Sequence, residues 1–140
     1  LADELLFRGI EINTGVISTS ANNFSNPSFP MIPYAALTLQ GSRFEFQSPV
    51  DATTIATQRG EDLVLGGIFD HVGGGFHRYT VDATWTVPHF EKMLYDNGQI
   101  VEYLANLWSS GQEEPAFKRA IVTTIQWLQR EMTAPEGYFY

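Results

Sequence analysis

The residues best suited to chemistry lie between positions 66 and 97, in the stretch GGIFDHVGGGFHRYTVDATWTVPHFEKMLYDN. All three histidines of the chain, His71, His77 and His89, are inside it, with five of the twelve glycines. A neutral imidazole can accept or donate a proton near pH 7, and glycine lets the backbone bend or approach a ligand closely. This composition predicts a site on a loop that rigid elements hold in place.

An acid–base set is the sharpest interpretation of this stretch. His89 and Glu91 stand at a predicted helix start, where the partial positive charge disfavours imidazolium and so favours a base. His77 adds a second proton-transfer group, and Arg78 adds a cationic clamp. Each residue also has a structural alternative, such as a hydrogen bond within the loop. The expected catalytic residues are His89, His77, Glu91 and Asp82, and the expected substrate-binding residues are Arg78, Trp85, Tyr95, Asp96 and His71.

Three other kinds of site fit the same stretch less well. Five residues separate His71 from His77 and eleven separate His77 from His89, whereas zinc ligands usually come in tighter pairs; no metal is expected. The glycine clusters are Gly66-Gly67 and Gly73-Gly74-Gly75. Neither is followed by the Lys-Ser or Lys-Thr of a P-loop, and neither follows a predicted strand. A helix stop and a tight turn are therefore favoured over phosphate binding. On the expected helix Glu91 and Tyr95 are four residues apart, as are Lys92 and Asp96, and a solvated surface pair explains Lys92 and Asp96 about as well as a site does.

Turn signals and apolar spacing predict an all-α chain with two helical hairpins. The expected helices cover 33–40, 49–65, 89–109 and 115–132, with Ser48 as a cap and Pro115 in a first turn. Residues 1–32 are expected to be mostly loop, 42–47 a linker and 66–88 the site loop. The link SSGQEE is short, so the last two helices should be antiparallel.

Apolar stripes at helical spacing predict which faces of the last two helices are buried. Trp108 and Trp127 lie on or beside these stripes and are expected in the core, whereas Trp85 and Tyr95 are expected to wall a pocket. The stripe of the third helix comprises Phe90, Met93, Leu94, Val101, Leu104, Leu107 and Trp108, and that of the last helix comprises Phe117, Ile121, Ile125, Leu128 and Met132.

Composition excludes several function classes. The formal net charge is −8 and the eight Lys and Arg are scattered, which argues against nucleic-acid binding. The chain has no cysteine, so thiol catalysis and thiolate metal sites are absent from it. The apolar runs are far shorter than a membrane span, so no membrane association is expected. No cofactor is expected either. No secretory signal is visible, so a cytoplasmic location is expected.

The central stretch also resembles a known signature. GGIFDHVGGGFHRYTVD followed by W-x-VPHFEKMLYDN is similar to the signature of a family typified by spermatogenesis-associated protein 20, and REMTAPEGYFY resembles a second family segment. Members of that family carry a thioredoxin-like domain followed by an α/α-barrel of the six-hairpin glycosidase kind. The resemblance implies that residues 1–140 are one fragment of the barrel, with about two of its hairpins, without the thioredoxin-like domain.

One segment departs from the family pattern. FSNPSFPMIPYAAL resembles the family's GGFGxAPKFPxPxxL, but Ala21-Asn22-Asn23-Phe24 replaces GGFG and Pro27-Ser28-Phe29-Pro30 replaces PKFP. The family's lysine is therefore lost at position 28. Any contact that this lysine makes with an anion is absent here.

Two functions of different class follow from the residues and the resemblance. The first is a carbohydrate site, either an acid–base isomerase of the epimerase kind or a glycosidase-like pair of carboxylates from Asp82 and Glu91. The second is a non-catalytic binding or scaffolding module of a thioredoxin-domain protein. The expected partner is a sugar or sugar-derived molecule. Two hairpins leave apolar faces uncovered, so the fragment is expected to self-associate or to need the rest of the barrel.

Overall fold

The computed structural model describes residues 27–43 and 51–140, and within them the chain forms four α-helices and no β-strand. The helices are α1 (Ile32–Gly41), α2 (Ala52–Leu65), α3 (Leu94–Ser109) and α4 (Pro115–Glu131). The all-α prediction is confirmed for these ranges. None of these helices is long and apolar enough to cross a membrane. The expected loop before residue 27 and the expected cap at Ser48 lie outside the described residues.

Two helix starts differ from the prediction. Helix α2 begins at Ala52 rather than at 49, because the Asp51 carboxylate accepts hydrogen bonds from the Thr53 N–H and the Thr54 hydroxyl, both at 3.0 Å. Helix α3 begins at Leu94 rather than at 89. Residues 89–91 instead form a tight turn, in which the Glu91 N–H donates to the His89 carbonyl at 2.7 Å, and residues 89 and 91 pair with residues 79 and 78 of the site loop. These bonds take their backbone groups away from a helix.

Helices α3 and α4 are antiparallel, as the short link predicts. The Lys92 ammonium, just before α3, lies 5.2 Å from the ring centre of Trp127 near the end of α4. At the other end, Leu107 of α3 and Phe117 of α4 both come close to Gly60 of α2. Helix α2 therefore packs across the end of the hairpin where the link turns the chain.

The buried faces of α3 and α4 differ from the predicted stripes. On α4, Ile125 is 40% exposed and Phe90, expected on the third helix, is 82% exposed. Close packing against the site loop requires small or flat side chains on α4, so the larger aliphatic residues turn outward. Trp127 is buried in the core, as expected, and Trp108 is partly buried and packs against the core. The buried residues are Asn97, Ile100, Tyr103, Leu104 and Leu107 on α3 and Phe117, Ala120, Thr124 and Trp127 on α4.

The segment from residue 66 to residue 93 contains no helix and folds by pairing with itself and with residue 28. Thr80 exchanges two backbone hydrogen bonds with Ser28, at 2.8 and 2.9 Å, and forms a bridge to Pro88 on its other side. The N–H of Val81 donates to the Val87 carbonyl at 2.9 Å. Two short extended arms, residues 77–81 and 87–91, therefore run side by side.

Glycine is required where this segment touches its neighbours. A Cβ on Gly67 would collide with the Thr86 carbonyl, and the Gly67 N–H donates to the Trp85 carbonyl at 2.6 Å. Gly74 has φ 77° and lies against the Thr123 carbonyl of α4. The glycines serve close backbone packing, as the tight-turn interpretation predicts.

The buried side chain of Asn97 joins the segment to α3. Its Oδ1 accepts the Phe76 N–H at 2.6 Å, and its Nδ2 donates to the Phe76 carbonyl at 3.0 Å. Asn97 and Phe76 are both fully buried. The side chain thus satisfies both backbone groups of a residue that has no helix or sheet to do so.

We expect Asn97→Ala to lower the free energy of unfolding by about 3 kcal/mol, because each of two buried backbone groups left unpaired costs about 1–3 kcal/mol. Urea unfolding followed by circular dichroism measures the change. Asn106→Ala, at an exposed position of the same helix, is the matched control and should stay within about 0.5 kcal/mol of the parent. Equal effects of the two variants would contradict the assigned role of Asn97.

An ion pair between Lys92 and Asp70 closes the glycine-rich turn. The Lys92 ammonium donates to Asp70 Oδ2 at 2.7 Å and to the Gly74 carbonyl at 2.8 Å. Asp70 Oδ1 accepts the N–H groups of Val72 and Gly73 at 3.0 and 2.8 Å. Partial burial raises the pKa of Asp70, but hydrogen bonds from Lys92 and from those two N–H groups outweigh it and lower the pKa to about 2.

Because the pKa of Asp70 is lower in the folded chain than its ordinary 3.8, its stabilisation is present above pH 4 and is lost as the pH falls towards 2. We expect Asp70→Asn to cost about 2 kcal/mol at pH 7. The difference between the two proteins should shrink over that acid range. Urea unfolding at a series of pH values measures it, with Glu136→Gln, an exposed carboxylate, as the control. A difference that stays constant down to pH 2 would rule out this ion pair.

Candidate functional site

The two extended arms bring together an exposed polar cluster. Glu91 Oε2 lies 3.6 Å from Nη1 of Arg78 and 3.8 Å from Nδ1 of His89. Backbone hydrogen bonds hold these residues: the Arg78 N–H donates to the Glu91 carbonyl at 2.7 Å, and the His89 N–H to the Tyr79 carbonyl at 2.9 Å. All three side chains are 42–47% exposed, so a ligand from solvent can reach them.

Three aromatic rings from three segments stack beside this cluster. Tyr79 is in the middle, with ring centres 4.7 Å from Phe29 on one side and 4.7 Å from His89 on the other. The interplanar angles are 26° and 13°, so the rings are close to parallel. The stack holds the His89 imidazole in one orientation next to Glu91 and leaves part of it open to solvent.

The charges of Arg78 and Glu91 affect the pKa of Asp96, which lies in the first turn of α3. Burial raises its pKa, and the charge of Glu91 adds to that rise, while the Arg78 guanidinium partly offsets it. Its Oδ2 is buried and has no hydrogen-bond partner among the described residues. This carboxyl group is therefore easier to protonate than a fully exposed aspartate.

His77 is buried on the other side of the same arm. Its ring meets the exposed Phe90 edge-on at 5.4 Å. Burial, followed by the charge of Lys92, lowers the pKa of His77, and Asp70 opposes this only in part. The imidazole is therefore neutral at pH 7, and its Nδ1 has no partner among the described residues.

Asp82 and Trp85 form the turn between the arms. The Asp82 carboxylate is buried and accepts the N–H groups of Thr84, Thr86 and Val87, the last at 2.7 Å, and the Thr84 hydroxyl. Although burial raises its pKa, these hydrogen bonds lower it below the ordinary value. This geometry favours a structural role in the turn, and a catalytic role for Asp82 stays a prediction.

Trp85, which was expected to wall a pocket, is buried against α2, and its role in substrate binding stays a prediction. Trp85 has φ 59°, is buried, and lies with its ring centre 4.9 Å from the Arg59 guanidinium carbon of α2. The left-handed backbone costs about 1–3 kcal/mol for such a residue, which burial of the indole offsets. Trp85 therefore joins the turn to α2.

Two further expected site residues lie apart from the cluster or at its edge. His71 Nε2 donates to the Gly66 carbonyl at 3.0 Å and closes a turn, as its structural alternative predicts. Tyr95 is 52% exposed in the first turn of α3. Within the described residues no group of three His, Asp or Glu could hold a metal ion.

Three predictions that placed residues 89–93 on a helix are wrong. His89 does not stand at a helix N-terminus, because α3 begins at Leu94. Glu91 and Tyr95 do not share a helix face, and Lys92 pairs with Asp70 rather than with Asp96. The error comes from the pairing of residues 89 and 91 with residues 78 and 79, which sequence spacing cannot reveal.

Three residues outside the expected set, Asp70, Phe29 and Asn97, hold the segment and its cluster in place through contacts with residues elsewhere in the chain. Asp70 before Val72-Gly73-Gly74 is typical of an aspartate turn and could have been recognised. Phe29 and Asn97 carried no such signal, because each acts on a residue far along the chain.

The comparisons with known proteins agree with the resemblance in the central stretch. No family model matches the chain. It is 46% and 44% identical over 79 residues to spermatogenesis-associated protein 20 of Rattus norvegicus and of Homo sapiens, 56% of this chain and 10% of each relative. An uncharacterized protein of Caenorhabditis elegans is 31% identical over 104 residues, 74% of this chain and 14% of that protein. The chain is thus similar to spermatogenesis-associated protein 20 of both mammals, as a fragment of that family would be, and it spans about one-tenth of their length.

Proposed function

We propose that residues 77–96 contribute a proton-transfer site for a carbohydrate, of the isomerase kind. The observation that carries the proposal is the position of the Glu91 carboxylate, between the His89 imidazole at 3.8 Å and the Arg78 guanidinium at 3.6 Å on an exposed surface. A base, a second proton-transfer group and a cation within reach of one ligand are what sugar isomerisation requires.

Each group has a proposed role. Glu91 removes a proton from the carbon next to a sugar carbonyl, with His89 beside it to return a proton. Arg78 stabilises the negative charge that develops on the carbonyl oxygen. Asp96 lies in the electrostatic field of both charged groups: burial raises its pKa, the Arg78 guanidinium opposes this rise, and the charge of Glu91 adds to it.

A hydrolase is less well supported than an isomerase. A glycosidase needs one carboxylic acid that is protonated near neutral pH. In the expected pair of Asp82 and Glu91, hydrogen bonds hold the pKa of Asp82 below its ordinary value despite its burial. Asp82 is thus unsuited to be the acid.

The carbohydrate class itself rests on the resemblance to the six-hairpin barrel family and on the stacked rings. Sugar rings have apolar C–H faces that pack on flat aromatic groups. His89 and Phe29 are the outer rings of the stack, and both are partly exposed.

A non-catalytic binding module is the second candidate, favoured by one observation. Ser28 stands where the family pattern has a lysine, and its backbone pairs with Thr80 directly beside the stack. The family's cation is therefore missing next to the proposed site. A surface that binds sugar through the stack without turnover would not need it.

Deuterium incorporation from D2O into a panel of aldoses, ketoses and N-acyl hexosamines, followed by NMR, tests the proposal. We expect exchange at the carbon next to the carbonyl in at least one sugar. Glu91→Gln should slow this exchange by about 10²–10⁴-fold, the usual contribution of a general base. Glu136→Gln, an exposed change on the C-terminal turn, should leave it unaltered.

The outcomes separate the two candidates. Saturable sugar binding without exchange, weakened by His89→Ala, would reject the isomerase and support the binding module. Absence of both binding and exchange across the panel would reject both.

A further inference from the structure

Asn97 and Gly98 form the only Asn-Gly pair of the sequence, and they lie near the start of α3. The backbone nitrogen of a glycine can attack the side-chain amide carbon of a preceding asparagine, because no side chain hinders its approach. Packing does not require this glycine: among the described residues, a Cβ on Gly98 would meet no atom beyond its own helix within 4 Å. The pair is therefore reactive wherever its backbone is free to allow ring closure.

The folded chain holds the side chain of Asn97 away from Gly98. Its Nδ2 donates to the Met93 carbonyl at 2.9 Å and to the Phe76 carbonyl at 3.0 Å. Its Oδ1 accepts the Phe76 N–H at 2.6 Å. Both N–H groups of the amide are thus used, and the side chain points back along α3, away from the next residue. Ring closure therefore requires that Phe76 first separate from Asn97.

We propose that Asn97 is a latent deamidation site, which the packing of residues 66–93 on α3 protects from reaction. When the segment opens, the backbone nitrogen of Gly98 bonds to Cγ of Asn97 and the Cγ–Nδ2 bond breaks. The proton of the Gly98 N–H leaves with Nδ2, which departs as ammonia. Water then opens the cyclic imide at either carbonyl and leaves aspartate or isoaspartate, so water is the only other reactant.

Both products destabilise the closed state of the segment. An aspartate carboxylate has no N–H, so the carbonyls of Phe76 and Met93 lose their donor and face a charge in a fully buried position. An isoaspartate adds a methylene group to the backbone and interrupts the hydrogen-bond ladder of α3. The reaction therefore makes a transient opening permanent, whether or not the segment binds a sugar.

Peptide mass spectrometry of the 140-residue chain, kept at mildly alkaline pH with and without urea, tests the proposal. We expect Asn97 to convert about 100-fold faster in urea, because opening must precede ring closure in the folded chain. Asn106, exposed on the same helix but followed by Leu107, is the internal control and should convert slowly in both conditions. Equal rates for Asn97 with and without urea, or no conversion in urea, would overturn the proposal.

Gly98→Ala tests the chemical route. The added methyl group has room in the fold and hinders attack by the backbone nitrogen, so the variant should fold and lose the conversion of Asn97 in urea. Conversion at the parent's rate in this variant would show that ring closure is not the route and would overturn the proposal.

Two further variants separate opening of the segment from a general loss of stability. Asp70→Ala removes the ion pair with Lys92 that closes the glycine-rich turn, and it adds no asparagine. Tyr103→Phe removes a buried hydrogen bond to the Ala56 carbonyl of α2, at 2.6 Å. When low urea brings both variants to the same free energy of unfolding, Asp70→Ala should convert Asn97 several-fold faster than Tyr103→Phe. Equal rates in the two variants would overturn the assignment of protection to the segment.

Discussion

The non-helical segment of residues 66–93 depends on the ion pair between Lys92 and Asp70. These residues stand at opposite ends of the segment, and their contact at 2.7 Å closes it into a single unit. The same ammonium reaches the Gly74 carbonyl and lies over Trp127, so one side chain ties the turn to α4. Backbone that lacks helix and sheet must find its hydrogen bonds elsewhere, and side chains supply them here.

The same principle operates along the rest of the segment. Arg119 and Arg130 of α4 donate to the carbonyls of His71 and Gly73 at 3.2 and 3.0 Å. Asn97 serves both backbone groups of Phe76, and Asp82 gathers the N–H groups of its turn. In the glycine-rich turn, the N–H groups of Val72, Gly73 and Gly74 already donate to oxygens of Asp70, so this turn is not arranged to bind phosphate. What remains free for a ligand is the row of side chains on the two arms.

The helices could be predicted from the sequence because their signals are local. Pro115 opens α4, where its fixed φ suits the first helical turn, and α1 ends at Gly41, one residue beyond its expected end. The start of α3 and the buried face of α4 could not be predicted, because both depend on contacts with residues far away. Residues 89 and 91 pair with residues 79 and 78, and Thr124 is buried where Ile125 was expected.

The residue types of the candidate site could be predicted from the sequence, but the positions of these residues relative to one another could not. His89, Glu91 and Arg78 come together because the two arms are adjacent, whereas Trp85 and Asp82 are drawn into the turn between the arms. All five residues lie within the range 78–91 of the sequence. Their spacing does not distinguish the three that form the exposed cluster from the two that form the turn. Phe29 joined the site from outside the central stretch, through a stack on Tyr79.

We infer that Arg78, Glu91 and Asp96 form one electrostatic unit rather than three separate solvated charges. Carboxyl ¹³C NMR of Asp96 as a function of pH tests this inference. We expect Asp96 to titrate above its ordinary pKa of 3.8, because its burial, with a smaller contribution from Glu91, outweighs the opposing charge of Arg78. Its pKa should fall in Glu91→Gln and rise in Arg78→Gln. An Asp96 that titrates at or below its ordinary pKa, unmoved by either variant, would contradict the account.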